Sequence, residues 1–417
     1  MREGYSRMVR SVDRYVGSCI CFIFTLFHTF RFQPRNRTIK NVLVIELVEM
    51  GASVMAYSSL AYIKKTIPEA NIYCLCLEST KEPWKLLDNV PTENVIAIDN
   101  KSIPRFFVSL LTTLWMLRSK KIDMVIDYEL FTRVSSIISF LIKTKFRAGF
   151  FGYTTGGLYR GNFLDVKCNY NQNLHIAKNL LALTKSALAE KPRYYNWDGP
   201  ISNDEILVPT YVSDSALRAE VQKKLRAEFA EGTPFIAIAP TVGKMLPMRD
   251  YPKEQYVEVI KKLLTVFPRH NIVLVGMPAH SEVAEFIRAE VKNNRCFNFC
   301  GKTASLRELL ELFLLADLLI SNDSGNPHFA AMAGLKTVAL FGPETPFMYG
   351  PLGKAVCLFE FFHTSPSITS FNHKNPPQAE TDCLRSISPN RVVEAAQRLM
   401  EGKTEYRTVN NTIPYLL

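Results

Sequence analysis

Apolar positions along this chain follow two alternating periods. "NVLVIE" (41–46) is a short continuous apolar run of strand length. "ASVMAYSSLAYIKKTI" repeats its apolar residues at helical spacing and ends before Pro68. "NIYCLCL", "VIAI" (95–98) and "IDMVID" (122–127) are further strand-like runs. Helical patterns near "PRFFVSLLTTLWMLRS" and in "TRVSSIISFLIKT" follow the last two. Strand–helix–strand in this rhythm implies parallel pairing with right-handed crossovers. From residue 190 the pattern lapses into a polar connection, then a charged helix, "DSALRAEVQKKLRAEFAEG". The rhythm restarts with "FIAIAP" (235–240), "NIVLVG" (271–276), "CFNFCG", "DLLIS" and "TVALFG", with helical segments between them. "SPNRVVEAAQRLMEG" closes it as a helix with a Ser-Pro start. The expected fold is α/β, with two Rossmann-like doubly wound domains at 38–200 and 234–402. A linker and connecting helix fill 201–233, and a tail follows at 403–417. Ligands are expected at the C-terminal ends of the strands.

Residues 1–37 break the rhythm. Val9, Val12, Val16, Ile20, Ile23, Phe27 and Phe30 recur at spacings of three and four and share one helix face. The uncharged run Tyr15 to Phe30 is shorter than the roughly 20 apolar residues of a full span. Residues 1–40 hold eight Lys/Arg and two Asp/Glu, which gives +6 of the net +11. The expected reading is an amphipathic helix lying on the anionic cytoplasmic surface of the cell membrane. A short spanning anchor, or a helix packed on its own protein or a partner, are the alternatives. No small-residue cleavage site follows, so a removed signal peptide is not expected.

The rest of the chain is only mildly basic, which argues against a nucleic-acid surface. Nine cysteines make no four-ligand zinc pattern, so reduced thiols and no metal are expected. "YTTGGLYRGN" (153–162) is expected to be a flexible loop.

The densest polar segment is "SNDSGNPHFAAMAG" (321–334), between two strand-like runs. Pro327 suits the first position of a helix, and the Asn, Ser and Gly before it suit its start. Such a helix start offers free N–H groups and the positive end of a dipole, which suits a phosphate or diphosphate. Gly325 would let the backbone approach a bulky anion. His328 adds a donor, and Asp323 suits capping or a sugar hydroxyl. A well-capped structural turn would use the same residues. Polar loops after three other strands, "APTVGKMLPMRDYP", "GMPAHSE" and "FGPETP", favour a nucleotide cleft. A Walker-type phosphate loop, a G-x-G-x-x-G after a strand and H-E-x-x-H are missing.

At this point residues 301–346, "GKTASLRELLELFLLADLLISNDSGNPHFAAMAGLKTVALFGPETP", resemble the signature of glycosyltransferase family 9. "YIKKTIPEANI", "IDMVIDYELFTR", His175 with "LLALTK", "RDYP" (249–252) and "CLRSISPNRVVEA" are weaker matches. The resemblance implies the GT-B fold, with two Rossmann-like domains facing across a cleft and the donor on the C-terminal one. It implies inverting, metal-independent transfer of heptose or a related sugar from a nucleotide-diphosphate donor, ADP-sugar by expectation, with no separate cofactor. The acceptor would be lipopolysaccharide, a lipid-linked glycan or another cell-envelope glycan, met at the inner face of the membrane. Asp323, Ser324, Gly325 and His328 would hold the diphosphate and ribose, and Thr241 and Arg249 would face the phosphates. The family's first loop carries Gly-Asp, with the Asp as presumed base. Here Gly51 is present and Ala52 stands at the Asp position. Glu49 is the expected base, with Glu46 and then Glu129 as alternatives. A non-catalytic nucleotide-sugar-binding scaffold, or a nucleotide-sugar epimerase of the same fold, are the competing functions.

Overall fold

The computed structural model describes residues 3–28, 38–130, 132–151, 159–190, 199–242, 247–360 and 382–403. Phe30, most of the loop at 153–162 and nearly all of the tail lie outside them. The chain divides into two units at Leu207/Val208.

The first unit opens with helix α1 (Glu3–His28). It continues β1 (Asn41–Ile45), α2 (Ala52–Thr66), β2 (Asn71–Leu77), α3 (Lys81–Trp84) and β3 (Val95–Ile98). Then come α4 (Ile103–Ser119), β4 (Met124–Asp127), α5 (Arg133–Leu141), β5 (Phe146–Phe150), β6 (Val166–Cys168) and α6 (Ile176–Leu188). Among the described residues the strands form one parallel sheet in the order β3-β2-β1-β4-β5-β6. Strands β1 to β3 advance one way and β4 to β6 the other, so right-handed crossovers put α2 on one face and α4 and α5 on the opposite one. Leu43, Ile45, Leu75 and Val125 pack there against Leu110 and Leu117 of α4 and Ile138 of α5.

The second unit contains α7 (Ser215–Arg226), β7 (Phe235–Ala239), α8 (Lys253–Val266), β8 (Asn271–Leu274), α9 (Ser281–Val291) and β9 (Cys296–Asn298). Next are α10 (Leu306–Leu315), β10 (Leu318–Asn322), α11 (Gly325–Met332), β11 (Thr337–Leu340) and α12 (Pro346–Tyr349). β12 (Ala355–Leu358), α13 (Asp382–Arg385) and α14 (Pro389–Met400) complete it. Its parallel sheet runs β12-β11-β10-β7-β8-β9. Ile236, Ile272, Leu318 and Ile320 meet Ile260, Ile287 and Leu399 from α8, α9 and α14. On α10, the fully buried Glu311 accepts hydrogen bonds from Tyr211 Oη, Ser213 Oγ and the Asp214 amide at 2.7–2.8 Å. Three donors satisfy a carboxylate that burial alone would disfavour.

Helix α1 packs on α5 through a narrow seam of Asp13, Gly17, Cys21 and Phe24. Asp13 accepts from the Arg133 and Val134 amides at 2.8 and 3.2 Å and pairs with the Arg133 guanidinium at 3.3 Å. It therefore caps α5 from another helix, since Thr132 makes no side-chain cap there. A Cβ at Gly17 would lie 3.1 Å from Arg133 Cβ, so the glycine permits this close approach. Phe24 stacks on Phe140 with centroids 4.1 Å apart. Of the three arrangements open in the sequence, the structure has the helix packed on its own protein. Val9, Val12, Val16, Ile23 and Phe27, five of the predicted apolar face, point away from it and are exposed. No helix among the described residues is long and apolar enough to cross a membrane.

Candidate functional site

In an open α/β sheet the crevice for ligands lies where the strand order reverses. The reversal falls between β7 and β10 in the second unit, and every predicted donor residue follows one of these two strands.

The stretch after β10 folds as a strand, a turn and a helix start. Ser324 caps α11, its Oγ accepting from the Asn326 amide at 3.3 Å. Pro327 is the third helical residue, not the first as the sequence suggested. That position still lies among the amides with no intrahelical partner, so proline costs nothing there. A Cβ at Gly325 would press to 3.1 Å from the Phe329 ring. The glycine therefore serves packing beneath the helix start. His328 lies in the first turn, mostly buried.

Asp323 does not cap the helix. Its carboxylate meets Arg249 Nε at 3.4 Å, and Arg249 Nη2 also donates to Glu344 at 2.6 Å. Asp323 and Glu344 are buried, and one guanidinium bridges them. Burial pushes the Asp323 carboxyl above the usual aspartate value, and Arg249 opposes the shift. A phosphate arriving here would compete with two carboxylates for Arg249.

The segment "RDYP" builds the other wall. Asp250 accepts from Thr241 Oγ1 at 3.0 Å and from the Val242 amide at 2.7 Å, tying the loop after β7. Thr241 is thus engaged with Asp250. Asn322, at the end of β10, accepts from the Tyr256 hydroxyl (2.8 Å) and the Tyr251 amide (3.2 Å) and donates to the Pro240 carbonyl (3.0 Å). This fully buried amide locks the ends of β7 and β10 to the Arg249 loop. His280, from "GMPAHSE", is close enough to Asp250 for their charges to interact, and burial holds its pKa down. Sequence reasoning missed Glu344, Asp250 and Asn322. Their signal was position, since each stands in or at the edge of a polar strand-end loop already noted.

In the first unit the reversal lies between β1 and β4, where Ile45 pairs with Asp127. Glu46 follows β1 and is buried, while Glu49 lies in the next loop, half-buried. Gly51 stands before α2, and Ala52 is its first residue. The Glu49 amide donates to the Glu46 carboxyl. Thr80 Oγ1 holds the same loop through the Leu47 carbonyl at 2.9 Å. Burial first, then the carboxylates of Glu129, Glu49 and Asp127, push the Glu46 carboxyl well above the ordinary range. Asp127 is pushed up to about 6, by burial first and against the pull of Arg160, with which it forms a buried ion pair. Glu46, Glu49, Asp127 and Glu129 thus form one electrostatically linked group at this strand end. Among the described residues no group of three or more His, Cys, Asp or Glu is placed to hold a metal ion.

Two doubly wound parallel sheets, each with polar residues at its topological switch point, define a GT-B-type α/β protein. A model of glycosyltransferase family 9 (heptosyltransferase) matches residues 113–374, more than half of the chain, and the chain belongs to this family. A lipooligosaccharide heptosyltransferase 2 of Campylobacter jejuni is 28% identical over 145 residues, 34% of this chain and 44% of that protein. The chain is thus matched to less than half the length of that relative. A lipopolysaccharide core heptosyltransferase of Haemophilus influenzae is 24% identical over 329 residues, 77% of this chain and 85% of its own. Among solved structures, an ADP-heptose lipopolysaccharide heptosyltransferase II of Escherichia coli superimposes with a TM-score of 0.66 at 20% identity. That match covers 87% of this chain and 99% of the other. A family 9 glycosyl transferase of Veillonella parvula gives 0.68 at 21%, covering 87% and 97%. At these identities the two structures speak for the fold.

Proposed function

We propose that the protein is an inverting glycosyltransferase that moves heptose or a related sugar from an ADP-linked donor to a lipopolysaccharide or other cell-envelope glycan. The observation that carries this reading is the 301–346 segment. It falls inside the family match and folds as a strand, a Ser-capped helix start and a polar loop at the switch point. The α11 amides and Arg249 receive the diphosphate, and His328 adds a donor to it. These groups meet the negative charge that develops on the diphosphate as its bond to the sugar breaks and ADP leaves, the electrostatic help such a step needs without a metal. Glu49 takes the proton of the attacking acceptor hydroxyl. The protein works at the cytoplasmic face of the membrane, held peripherally through the outward face of α1.

ADP-heptose should raise the melting temperature more than UDP- or GDP-sugars, since only a ligand of the folded state stabilises by mass action. Nucleotide release should then depend on an added lipopolysaccharide acceptor. Release without acceptor dependence, or no preference for a nucleotide sugar, rejects the reading. His328→Ala should weaken donor binding roughly 10–100-fold by calorimetry, the range of one charge-assisted hydrogen bond. Unchanged affinity removes His328 from the donor site.

A further inference from the structure

Helix α4 carries an apolar outer face that the fold does not use. Its inner residues Leu110 and Leu117 are buried in the core. On the opposite side Phe107, Val108, Leu111 and Trp115 are exposed, Leu111 by 67% and Trp115 by 76%. Their spacings of one, three and four residues make one stripe. Between Arg105 and Arg118 the helix has no charged residue at all. A helix facing water on one side carries polar residues there, and this one is apolar nearly all round.

The stripe is bounded by basic residues: Lys101 and Arg105 at its start, Arg118 and Lys121 at its end, all exposed. Arg105 shares its charge with Asp99 at 3.8 Å. Helix α1 repeats the arrangement. Its outward Val12, Val16, Ile23 and Phe27 are exposed, Arg14 is exposed beside them, and its acidic Asp13 is turned inward onto Arg133. Both helices belong to the same side of the first unit, since α4 and α5 cover one sheet face and α1 packs on α5.

We propose that the outer face of α4 is a second membrane-contacting element, which seats with α1 in the headgroup–acyl boundary of an anionic bilayer. This rests on the peripheral membrane reading above and extends it to a helix that reading did not include. Charge selects the occupant. A second copy of this face would set lysines and arginines against lysines and arginines, whereas anionic headgroups complement them. The basic residues at the stripe's ends can extend toward headgroups while Trp115 occupies the boundary, as interfacial tryptophans do.

The test is flotation of the full-length protein with vesicles of phosphatidylglycerol and phosphatidylcholine, and with phosphatidylcholine alone. Wild type should float with the anionic vesicles at low salt. Leu111→Glu/Trp115→Glu should lower the partition coefficient at least about tenfold, and Val16→Glu/Phe27→Glu should do likewise. These positions are exposed, so melting temperature and acceptor-free donor binding should not change. Brominated lipid should quench the wild-type fluorescence, and Trp115→Phe should lose most of that quenching. If the α4 double variant partitions like wild type while the α1 variant does not, the proposal for α4 fails and the α1 reading stands. If wild type ignores anionic vesicles at low salt, both fail, and the glycosyltransferase reading is untouched. If wild type is a dimer in buffer that Leu111→Glu dissociates, with vesicle partition unchanged, the face is a protein interface and the proposal is overturned.

Discussion

Replacing Glu49 with glutamine is expected to cut turnover at least about 10²-fold while leaving donor affinity intact. An acceptor hydroxyl attacking a sugar must lose its proton as the bond forms, and a positioned carboxylate contributes typically 10²–10⁴-fold to such a step. Ala52, the first residue of α2, has no basic group. Glu49 precedes it by three residues in a loop pinned through Thr80, and it is the more accessible of the two loop glutamates. Glu46 is buried, and its carboxyl is biased toward the protonated form by burial and by Glu129, Glu49 and Asp127. A carboxyl biased toward its protonated form is less available to take a proton. Glu46→Gln should therefore retain most turnover at neutral pH. It should also change the pH dependence of stability. The folded pKa of Glu46 lies above its ordinary value of 4.5. Its favourable contribution is therefore complete below that value and is lost as pH rises through the raised one. Glu46→Gln should gain on wild type in denaturation midpoint between about pH 5 and pH 8. Collapse of turnover in Glu46→Gln with near-normal Glu49→Gln would move the role to Glu46. Near-normal turnover in both would reject this loop as the source of the base.

The alternation of strand and helix was legible because both sheets are buried on two faces. Their central strands therefore read as unbroken apolar runs bounded by turn residues. Three strands escaped the pattern. β5, "FRAGF", carries Arg147 inside a buried strand. Its guanidinium is satisfied by the carbonyls of Ser139, Phe140 and Ile142 at the end of α5, which no local pattern announces. β6 places Lys167 between its two buried residues, and β12 follows β11 with only the four-residue α12 between them, so neither falls in the strand–helix rhythm. The same limit explains α1. Periodicity identified its apolar face, yet the docked seam is Asp13, Gly17 and Cys21, small and polar residues whose value depends on α5, more than 100 residues later. At the site, the motif after β10 was legible because cap, glycine and helix are contiguous. The ion pairs were not. Arg249 meets Asp323 and Glu344 only because β7, β10 and β11 end side by side.

Removing the guanidinium of Arg249 is expected to cost both stability and donor binding. Arg249→Ala leaves Asp323 and Glu344, both nearly inaccessible to water, without the cation that bridges them. Deleting one partner of a buried ion pair typically destabilises by roughly 3–5 kcal/mol, because the remaining charge keeps its desolvation penalty. The loss should grow with pH. Asp323 already has a folded pKa above its ordinary 3.8, set by burial and restrained by Arg249. Without Arg249 that value rises further. A carboxyl with a raised folded pKa contributes fully below its unfolded value and loses that contribution as pH climbs through the folded one. The stability gap between wild type and Arg249→Ala, measured by urea denaturation, should therefore be smallest near pH 4 and widen toward pH 8. Arg249→Ala/Asp323→Asn should recover part of the gap at pH 8, since the second change removes one of the two carboxylates. Arg249→Lys should fall between, retaining charge but not the fork that reaches both acids. Donor affinity at a pH where Arg249→Ala remains folded should drop roughly 10–100-fold. A folded variant that binds donor as tightly as wild type would reduce Arg249 to a clamp for two buried acids, leaving the α11 amides and His328 to hold the diphosphate.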